Sequence, residues 1–187
     1  LGIVGVALAF AAQDTVANVF GTITILMDAP FKLGDRVKIG DTDGVVEEVG
    51  FRSTRIRTLY NSVVSLPNSV VAKEKIDNLT ERNNWIRFRN VVGLTYDASP
   101  IQITKFCTDF MAYLSKDLTV DQNRSSVNLE GYADSSINIG VSIHYKIGMG
   151  QSEGDRNQIY LEAIRAHIIN QGLDFAFTTR TLIVQNQ

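Results

Sequence analysis

The chain has little of the residue types that usually mark cross-linking, metal binding or catalysis. Its 187 residues include one cysteine, Cys107, so neither an internal disulfide nor a cysteine-based metal cluster can form. A single cysteine fits a reducing compartment. The two histidines, His144 and His167, have no second ligand at metal-binding spacing. We therefore expect structural roles for all three residues, and no metal.

The chain also lacks an excess of either charge, with 18 lysines and arginines against 20 aspartates and glutamates. This balance gives no broad attraction to nucleic acid. Arg52, Arg55 and Arg57 could form a local RNA patch, but arginines that alternate on a strand more often face solvent or another subunit. Asp134 stands beside Ser135 without a general base, which is typical of a β-turn. We expect no enzymatic activity, no cofactor and no nucleic-acid partner.

What the chain does have is 44% apolar residues, enough to fill the cores of one or two domains. It opens with an uncharged run, LGIVGVALAFAA, of about a dozen residues, which is short of the roughly 20 that cross a bilayer. It begins without methionine, a charged signal-peptide region or a cleavage-site pattern. We therefore interpret the sequence as a fragment whose first helix starts upstream.

The small residues of this run are placed in a pattern. At about 100° per residue they fall on two sides of a helix. One side carries Gly2, Gly5, Ala9 and Ala12, and the other carries Ala7 and Ala11. Val6 and Phe10 form a bulky ridge between them. Two smooth sides suit a closed ring of membrane helices with the ridge at its axis, where apolar rings can close a pore by dewetting. The alternative is a Gly/Ala-rich helix packed within one subunit.

A second helical pattern begins at Gln13 and Asp14, where the uncharged run ends. Its apolar residues are Val16, Val19, Phe20, Ile23, Leu26 and Met27, and its opposite face carries Thr15, Asn18, Gly21 and Thr22. Helical spacing of this kind predicts an amphipathic helix at an interface, on lipid or on a protein layer. Asp14 is either the N-cap of this helix or a charge at a pore mouth, and the two roles are compatible.

The remaining sequence predicts two small domains. Residues 35–66 alternate over short stretches with glycine-rich turns, which predicts a small β-barrel. From Trp85 the order becomes strand, helix, strand, strand, helix. Apolar and polar residues alternate strictly over 137–147, so one face of that strand should be buried. This order predicts a ferredoxin-like αβ domain, with a final strand at 181–184.

Several short motifs follow the first helix in a fixed order. They are APFKLGDRV at 29–37, GVV at 44–46, TRIRT at 54–58 and LPN at 66–68. Behind a Gly/Ala-rich helix, this set resembles the PF-x-x-GD-x-V, G-x-V, T-x-I-x-T and apolar-Pro-Asn elements of the small-conductance mechanosensitive channel (MscS) family. The resemblance continues at 93–97, 133–138 and 172–177, and so covers essentially the whole chain.

The resemblance implies a homoheptamer whose third transmembrane helix lines the pore, kinks, and leads into a perforated vestibule. Val6 and Phe10 match the family's pore-constricting positions, and the small residues would pack neighbouring pore helices. Gln13, Asp14 and Gly21 fall in the kink region. The sequence departs from the family where Asp14 replaces the kink glycine, where Ala29 replaces a common basic residue, and where Thr178 replaces a proline of several relatives.

The expected fold class is an α+β membrane-protein fragment in four parts. These are a pore-lining and an amphipathic helix over 1–28, an SH3- or Sm-like β domain over 29–82, a ferredoxin-like αβ domain over 83–178 and a C-terminal strand over 179–187. The resemblance implies a mechanosensitive ion channel subunit that passes ions under membrane tension and protects against hypo-osmotic shock. Its partners would be its own copies, membrane lipids and small ions.

The implied location is the cell inner membrane, as a multi-pass protein with most of this fragment in the cytoplasm. The opposing class is a soluble RNA-binding protein, because an Sm-like barrel followed by a ferredoxin-like domain superficially resembles RNA-binding modules. The balanced charge, the missing aromatic RNA-binding signature and the apolar start all argue against that class.

Overall fold

The computed structural model describes residues 2–148 and 151–178. The chain divides into two compact units, Leu1–Asn83 and Asn84–Gln187. We call them the β unit and the αβ unit. The predicted C-terminal strand over 179–187 lies outside the described residues.

The first element is one continuous helix, α1 (Gly2–Asp28), of 27 residues. At 1.5 Å per residue it is about 40 Å long. No proline interrupts it, so helical hydrogen bonding continues through Gln13 and Asp14, where the sequence predicts a change from one helical segment to another. Asp14 lies inside the helix and is not an N-cap. A kink near this position stays a prediction.

The β unit adds a five-stranded antiparallel sheet to α1. Its elements are β1 (Arg36–Ile39), β2 (Thr42–Val49), β3 (Ser53–Thr58), β4 (Val63–Pro67), the short helix α2 (Asn68–Val71), β5 (Ile76–Asn78) and a 3-10 turn at Thr80–Arg82. The order is β4-β3-β2-β1-β5, so the last strand closes against the first. Its centre is formed by three almost fully buried side chains, those of Val37, Val46 and Ile56. The glycine-punctuated alternation over 35–66 predicted β1 to β4, because short strands joined by tight turns pair with their neighbours, whereas β5 lies outside the predicted range.

The αβ unit is a three-stranded antiparallel sheet with two helices. Its elements are β6 (Trp85–Leu94), α3 (Pro100–Leu114), β7 (Ser126–Ala133), β8 (Ser136–Lys146) and α4 (Glu153–Asn170). The order β6-β8-β7 places the third strand between the other two, as in a ferredoxin-like sheet. A single antiparallel bridge joins Leu94 to Phe175, so the chain after α4 returns to the free edge of β6.

The predicted buried face of β8 is confirmed. Ile139, Ile143 and Tyr145 are fully buried in one core with side chains of α3 and α4. Both helices begin at a serine cap, and Ser99 forms a reciprocal capping box with Gln102. The predicted α+β class, with an apolar helix followed by two sheet units, is therefore confirmed for the part of the chain that the structure describes.

Candidate functional site

The front half of α1, which we define as residues 2–16, is exposed on every side. Phe10 is 72% exposed and Leu8 69%, although both are large apolar residues. Within the described residues, α1 is the one helix long and apolar enough to cross a membrane. So much uncovered apolar surface on a helix requires lipid or other helices as its surroundings.

The predicted site residues of the front half lie where the sequence pattern placed them on this helix. Val6 and Phe10 lie one turn apart on the same side, next to Ala9. Gly2 and Gly5 face open space, because no atom lies within 4 Å of the position that a Cβ would take. Another helix could therefore approach the backbone closely here. The constriction and the helix contacts concern several copies, so they stay predictions.

The rear half of α1, which we define as residues 17–28, has buried residues, and they include polar ones. Asn18 is 8% exposed and bridges two segments. Its side-chain amide donates to the carbonyl of Asp14 (2.8 Å), and its side-chain oxygen accepts from the backbone N–H of Ser69 (3.0 Å). The helix is thereby held to α2 by a directional contact as well as by packing.

Asn68, the first residue of α2, is the centre of this junction and is fully buried. Its amide nitrogen donates to the Thr22 hydroxyl and to the Gly50 carbonyl, both at 2.8 Å. Its side-chain oxygen accepts from the Thr54 hydroxyl on β3 (2.8 Å). The Thr22 hydroxyl in turn lies 2.7 Å from the Phe51 carbonyl. A buried network with this many partners is stable in one geometry, because each unpaired group would cost free energy.

Gly21 allows the close approach of the helix to this network. A Cβ at position 21 would lie 2.4 Å from the carbonyl oxygen of Asn68, which no side chain can tolerate without a shift. By the family resemblance Gly21 falls in the kink region, and that role stays a prediction. The structure gives Gly21 a packing role that sequence reasoning missed, although the motif at 66–68 pointed to Asn68.

The exit of α1 leads into the β unit through a tight turn. Ala29 has a φ of +43°, and its N–H donates to the Ile25 carbonyl (2.9 Å), which ends the helix. Phe31 is 5% exposed and anchors the turn in the core. The Asp35 carboxylate accepts from the N–H of Lys32 (2.9 Å). This bond and a second one from the Asn78 amide lower the pKa of Asp35. The motif at 30–37 therefore supplies the side chains that stabilise this turn.

The residues considered for other chemistry have structural surroundings. The His167 ring lies against the Phe110 ring, and its Nδ1 is 2.8 Å from the Ala163 carbonyl. Burial raises the pKa of the Cys107 thiol, which makes it less reactive. Among residues 2–148 and 151–178, no three His, Cys, Asp or Glu side chains are grouped as metal ligands. Arg55 and Arg57 form ion pairs with Glu48 and Glu47, so their charges are compensated within the sheet.

Comparison with known proteins agrees with this geometry. Residues 14–81 match the family model of the mechanosensitive ion channel β-domain. The chain is 34% identical over 186 residues to the small-conductance mechanosensitive channel MscMJ of Methanocaldococcus jannaschii, covering 99% of this chain and 52% of that protein. It is 31% identical over 190 residues to the low conductance mechanosensitive channel YnaI of Escherichia coli, covering 99% and 54%.

A solved structure gives the same result for the fold. The crystal structure of Helicobacter pylori MscS in its closed state matches with a TM-score of 0.85 at 26% identity, covering 100% of this chain and 72% of that one. The chain spans about half the length of the curated relatives it matches. The motif order, the fold of the described residues and these matches agree. The chain belongs to the MscS family of mechanosensitive ion channels.

Proposed function

We propose that the chain is a subunit of a mechanosensitive ion channel, in which ions flow passively through a pore that membrane tension opens. The observation that carries this proposal is the contrast within α1, whose front half is apolar and uncovered while its rear half is held to the β unit. A stimulus shifts an equilibrium between two states only by the difference between its interaction free energies with those states. A wider pore occupies more membrane area, so tension favours it. Release of small ions would protect a cell against hypo-osmotic shock.

The pore is a ring of α1 helices from identical copies, and we propose seven of them. Gly2, Gly5, Ala7, Ala9, Ala11 and Ala12 provide the two smooth sides on which neighbouring helices pack. Val6 and Phe10 then point to the axis and form the hydrophobic constriction. Gln13 and Asp14 follow the constriction, and a kink near them would redirect the rear half. The helices' outer surface contacts membrane lipids.

The same proposal places the protein in the cell inner membrane. Further spans precede α1, and the β and αβ units lie on the cytoplasmic side. The two units bind no cofactor and no nucleic acid, and they catalyse no reaction. The β unit holds the rear half of α1 through the Asn68 network, and both units surround the path of the ions.

Patch recordings of Phe10→Ser test the constriction. A hydroxyl at this position should hydrate the closed pore, so the channel should leak or open at lower tension. Leu8→Ser is the matched control, because Leu8 is equally exposed but lies about 200° away around the helix. It should leave the closed pore dry. Unchanged conductance and threshold in Phe10→Ser, with normal assembly, would show that the ridge points elsewhere.

Native mass spectrometry of the full-length protein in detergent tests the assembly. Wild type should give a heptamer, and Gly5→Val or Ala9→Val should weaken it by preventing close helix approach. A wild-type protein that stays a monomer under conditions that keep it folded would contradict the ring.

A further inference from the structure

The side chain of Asn78, the last residue of β5, connects segments that are far apart along the chain. Its amide nitrogen donates to the Pro30 carbonyl (3.2 Å) and to the Asp35 carboxylate (2.9 Å). Its oxygen accepts from the backbone N–H groups of Thr80 (3.1 Å) and Glu81 (3.3 Å). One side chain therefore contacts the turn after α1 and the first residues after β5.

The amide of Asn78 has one orientation and uses its full bonding capacity. Its two N–H groups meet two acceptors, and its oxygen meets two donors, so a flipped amide would face acceptors with its oxygen. The group is planar and half-buried, and β5 holds its backbone opposite Val37 of β1. A displacement of the Pro30 carbonyl therefore acts on a rigid group that also holds Thr80.

The residues that follow Asn78 form the connector to the αβ unit, which we define as residues 79–84. Its start is attached to β1, because Leu79 donates to the Arg36 carbonyl (2.9 Å) and the Thr80 hydroxyl accepts from the Arg36 N–H (2.8 Å). Its end has an unusual backbone, with φ of +51° at Asn83 and +62° at Asn84. The connector thus begins directly after Asn78 and ends in two residues of left-handed backbone.

We propose that Asn78 is a positioning residue that ties the exit of the membrane helix to the start of this connector. When the helix exit moves, the Asn78 amide moves the first turn of the connector with it. The tie is a property of the β unit alone. Its effect on opening rests on the function proposed above, in which α1 moves during gating.

Asn78→Asp breaks one half of the tie selectively. The carboxylate still accepts from Thr80 and Glu81, but it cannot donate to Pro30 and it repels the Asp35 carboxylate. Hydrogen exchange of the full-length channel in detergent should become about tenfold faster in the turn at 30–35, the factor expected for one lost hydrogen bond to a charged group. Exchange at Thr80 and Glu81 should stay as in wild type. Asp77→Asn is the control, since its exposed side chain lies on the opposite face of β5.

The double variant Asp35→Asn with Asn78→Asp separates the tie from local stability. It restores an amide–carboxylate bond between positions 35 and 78 with the two groups exchanged, and it leaves the Pro30 carbonyl without its donor. We expect exchange in the turn at 30–35 to return towards the wild-type rate. Asn78→Asp should lower the membrane tension at which half of the channels in a patch are open, because the helix exit then moves without the first turn of the connector. We expect this half-activation tension to remain lowered in the double variant.

The outcomes decide between the tie and simpler roles. If the double variant also restores the half-activation tension, the bond between positions 35 and 78 matters only for stability, and the tie to the helix exit is wrong. If hydrogen exchange at 30–35 in Asn78→Asp is as slow as in wild type, the bonds of Asn78 do not stabilise the turn, and the proposal is wrong as well. Should Asn78→Asp fail to assemble, Asp35→Asn tests the other half, because it weakens the bond between positions 35 and 78 while Asn78 still donates to the Pro30 carbonyl. Exchange at 30–35 should then rise while the half-activation tension stays as in wild type, and a lowered tension would contradict the tie. A wild-type channel that tension never opens would refute the proposed function, while the exchange measurements would still decide the tie.

Discussion

The two halves of α1 belong to one helix but have opposite relations to the rest of the chain. Residues 2–16 are apolar or small almost without exception, and none of them is buried. In residues 17–28 the buried positions are Asn18, Gly21, Thr22 and Ile25, of which only Ile25 is a large apolar residue. The half that looks like a protein core is uncovered, and the half with polar residues is packed.

This contrast shows how the helix divides its two tasks. Apolar contacts with lipid or neighbouring helices have no fixed direction, so they would allow the front half to slide or rotate in the pore proposed above. The buried hydrogen bonds of the rear half are directional, and they hold it in one register on α2 and on the Phe51 carbonyl. Substitutions in the rear half should therefore affect the fold of the subunit itself, and those in the front half should affect assembly and opening.

The largest effect on stability should come from Asn68→Ala. The substitution removes the amide that donates to the Thr22 hydroxyl and the Gly50 carbonyl, and the oxygen that accepts from the Thr54 hydroxyl. These three buried groups then lose their partner. We expect a loss of about 3 kcal/mol in the free energy of unfolding. Chemical denaturation of the detergent-solubilised protein measures it. Asn128→Ala, at an exposed position of β7, is the control and should change stability by less than about 0.5 kcal/mol.

A matched pair of glycine substitutions tests the two halves directly. Gly21→Ala places a methyl group 2.4 Å from the Asn68 carbonyl oxygen and should cost about 2 kcal/mol. Gly5→Ala meets no atom within 4 Å, and alanine favours the helix, so the subunit should lose no stability. Thermal unfolding of both variants makes the comparison. Equal stability of the two would mean that the rear half is not packed as described.

The polar cluster of Asp117, Thr119 and Arg156 in the αβ unit is partly exposed, so its contribution to stability can be compared with that of the fully buried Asn68. Burial of Asp117 acts to raise its pKa, but hydrogen bonds from Thr119 and Arg156 outweigh it and hold the pKa below the ordinary 3.8. A lowered pKa in the folded state means that the carboxylate stabilises the fold above pH 3.8 and that this stabilisation is lost as the pH falls through the lowered value.

Asp117→Asn should therefore destabilise the protein by about 1 kcal/mol at neutral pH, less than Asn68→Ala, because solvent screens the pair. The difference between variant and wild type should shrink as the pH is lowered below 3.8. Unfolding curves at several pH values measure this. A pH-independent difference would mean that the charge of Asp117 contributes nothing.

The smallest effect should be a gain. Ala29 directly follows the rear half and has a φ of +43°. This conformation is unfavourable for a residue that has a Cβ, whereas glycine adopts it readily. Ala29→Gly should stabilise the β unit by about 0.5 kcal/mol, after the greater flexibility of glycine in the unfolded chain is subtracted. Thermal unfolding should show a small rise in midpoint, and a fall would show that Ala29 is not strained.

Much of this protein followed from local patterns. The alternation over 137–147 predicted the buried face of β8, because side chains on a strand point to opposite faces in turn. The spacing of small residues predicted a helix with two smooth sides, since a helix repeats every 3.6 residues. The ordered motifs pointed to the family to which the chain belongs. The alternation and the helical spacing depend on residues within a few positions of one another, and the motifs depend only on their order along the chain.

Other features depended on contacts between residues far apart. The sequence predicted a second helical segment after Gln13, whereas α1 continues without a break, because a polar residue does not interrupt helical hydrogen bonding. Gly21 and Asn68 are 47 positions apart, and only the folded chain brings the glycine against that carbonyl. Asn78 likewise reaches Pro30 and Asp35 through the closure of β5 against β1. The sequence by itself determined the long helices and strands and the apolar surface of the front half of α1, because those follow from local periodicity, whereas it gave no prediction for the short α2 and β5. The tertiary structure alone decided which polar groups meet, because a hydrogen bond requires two particular atoms within about 3 Å of each other.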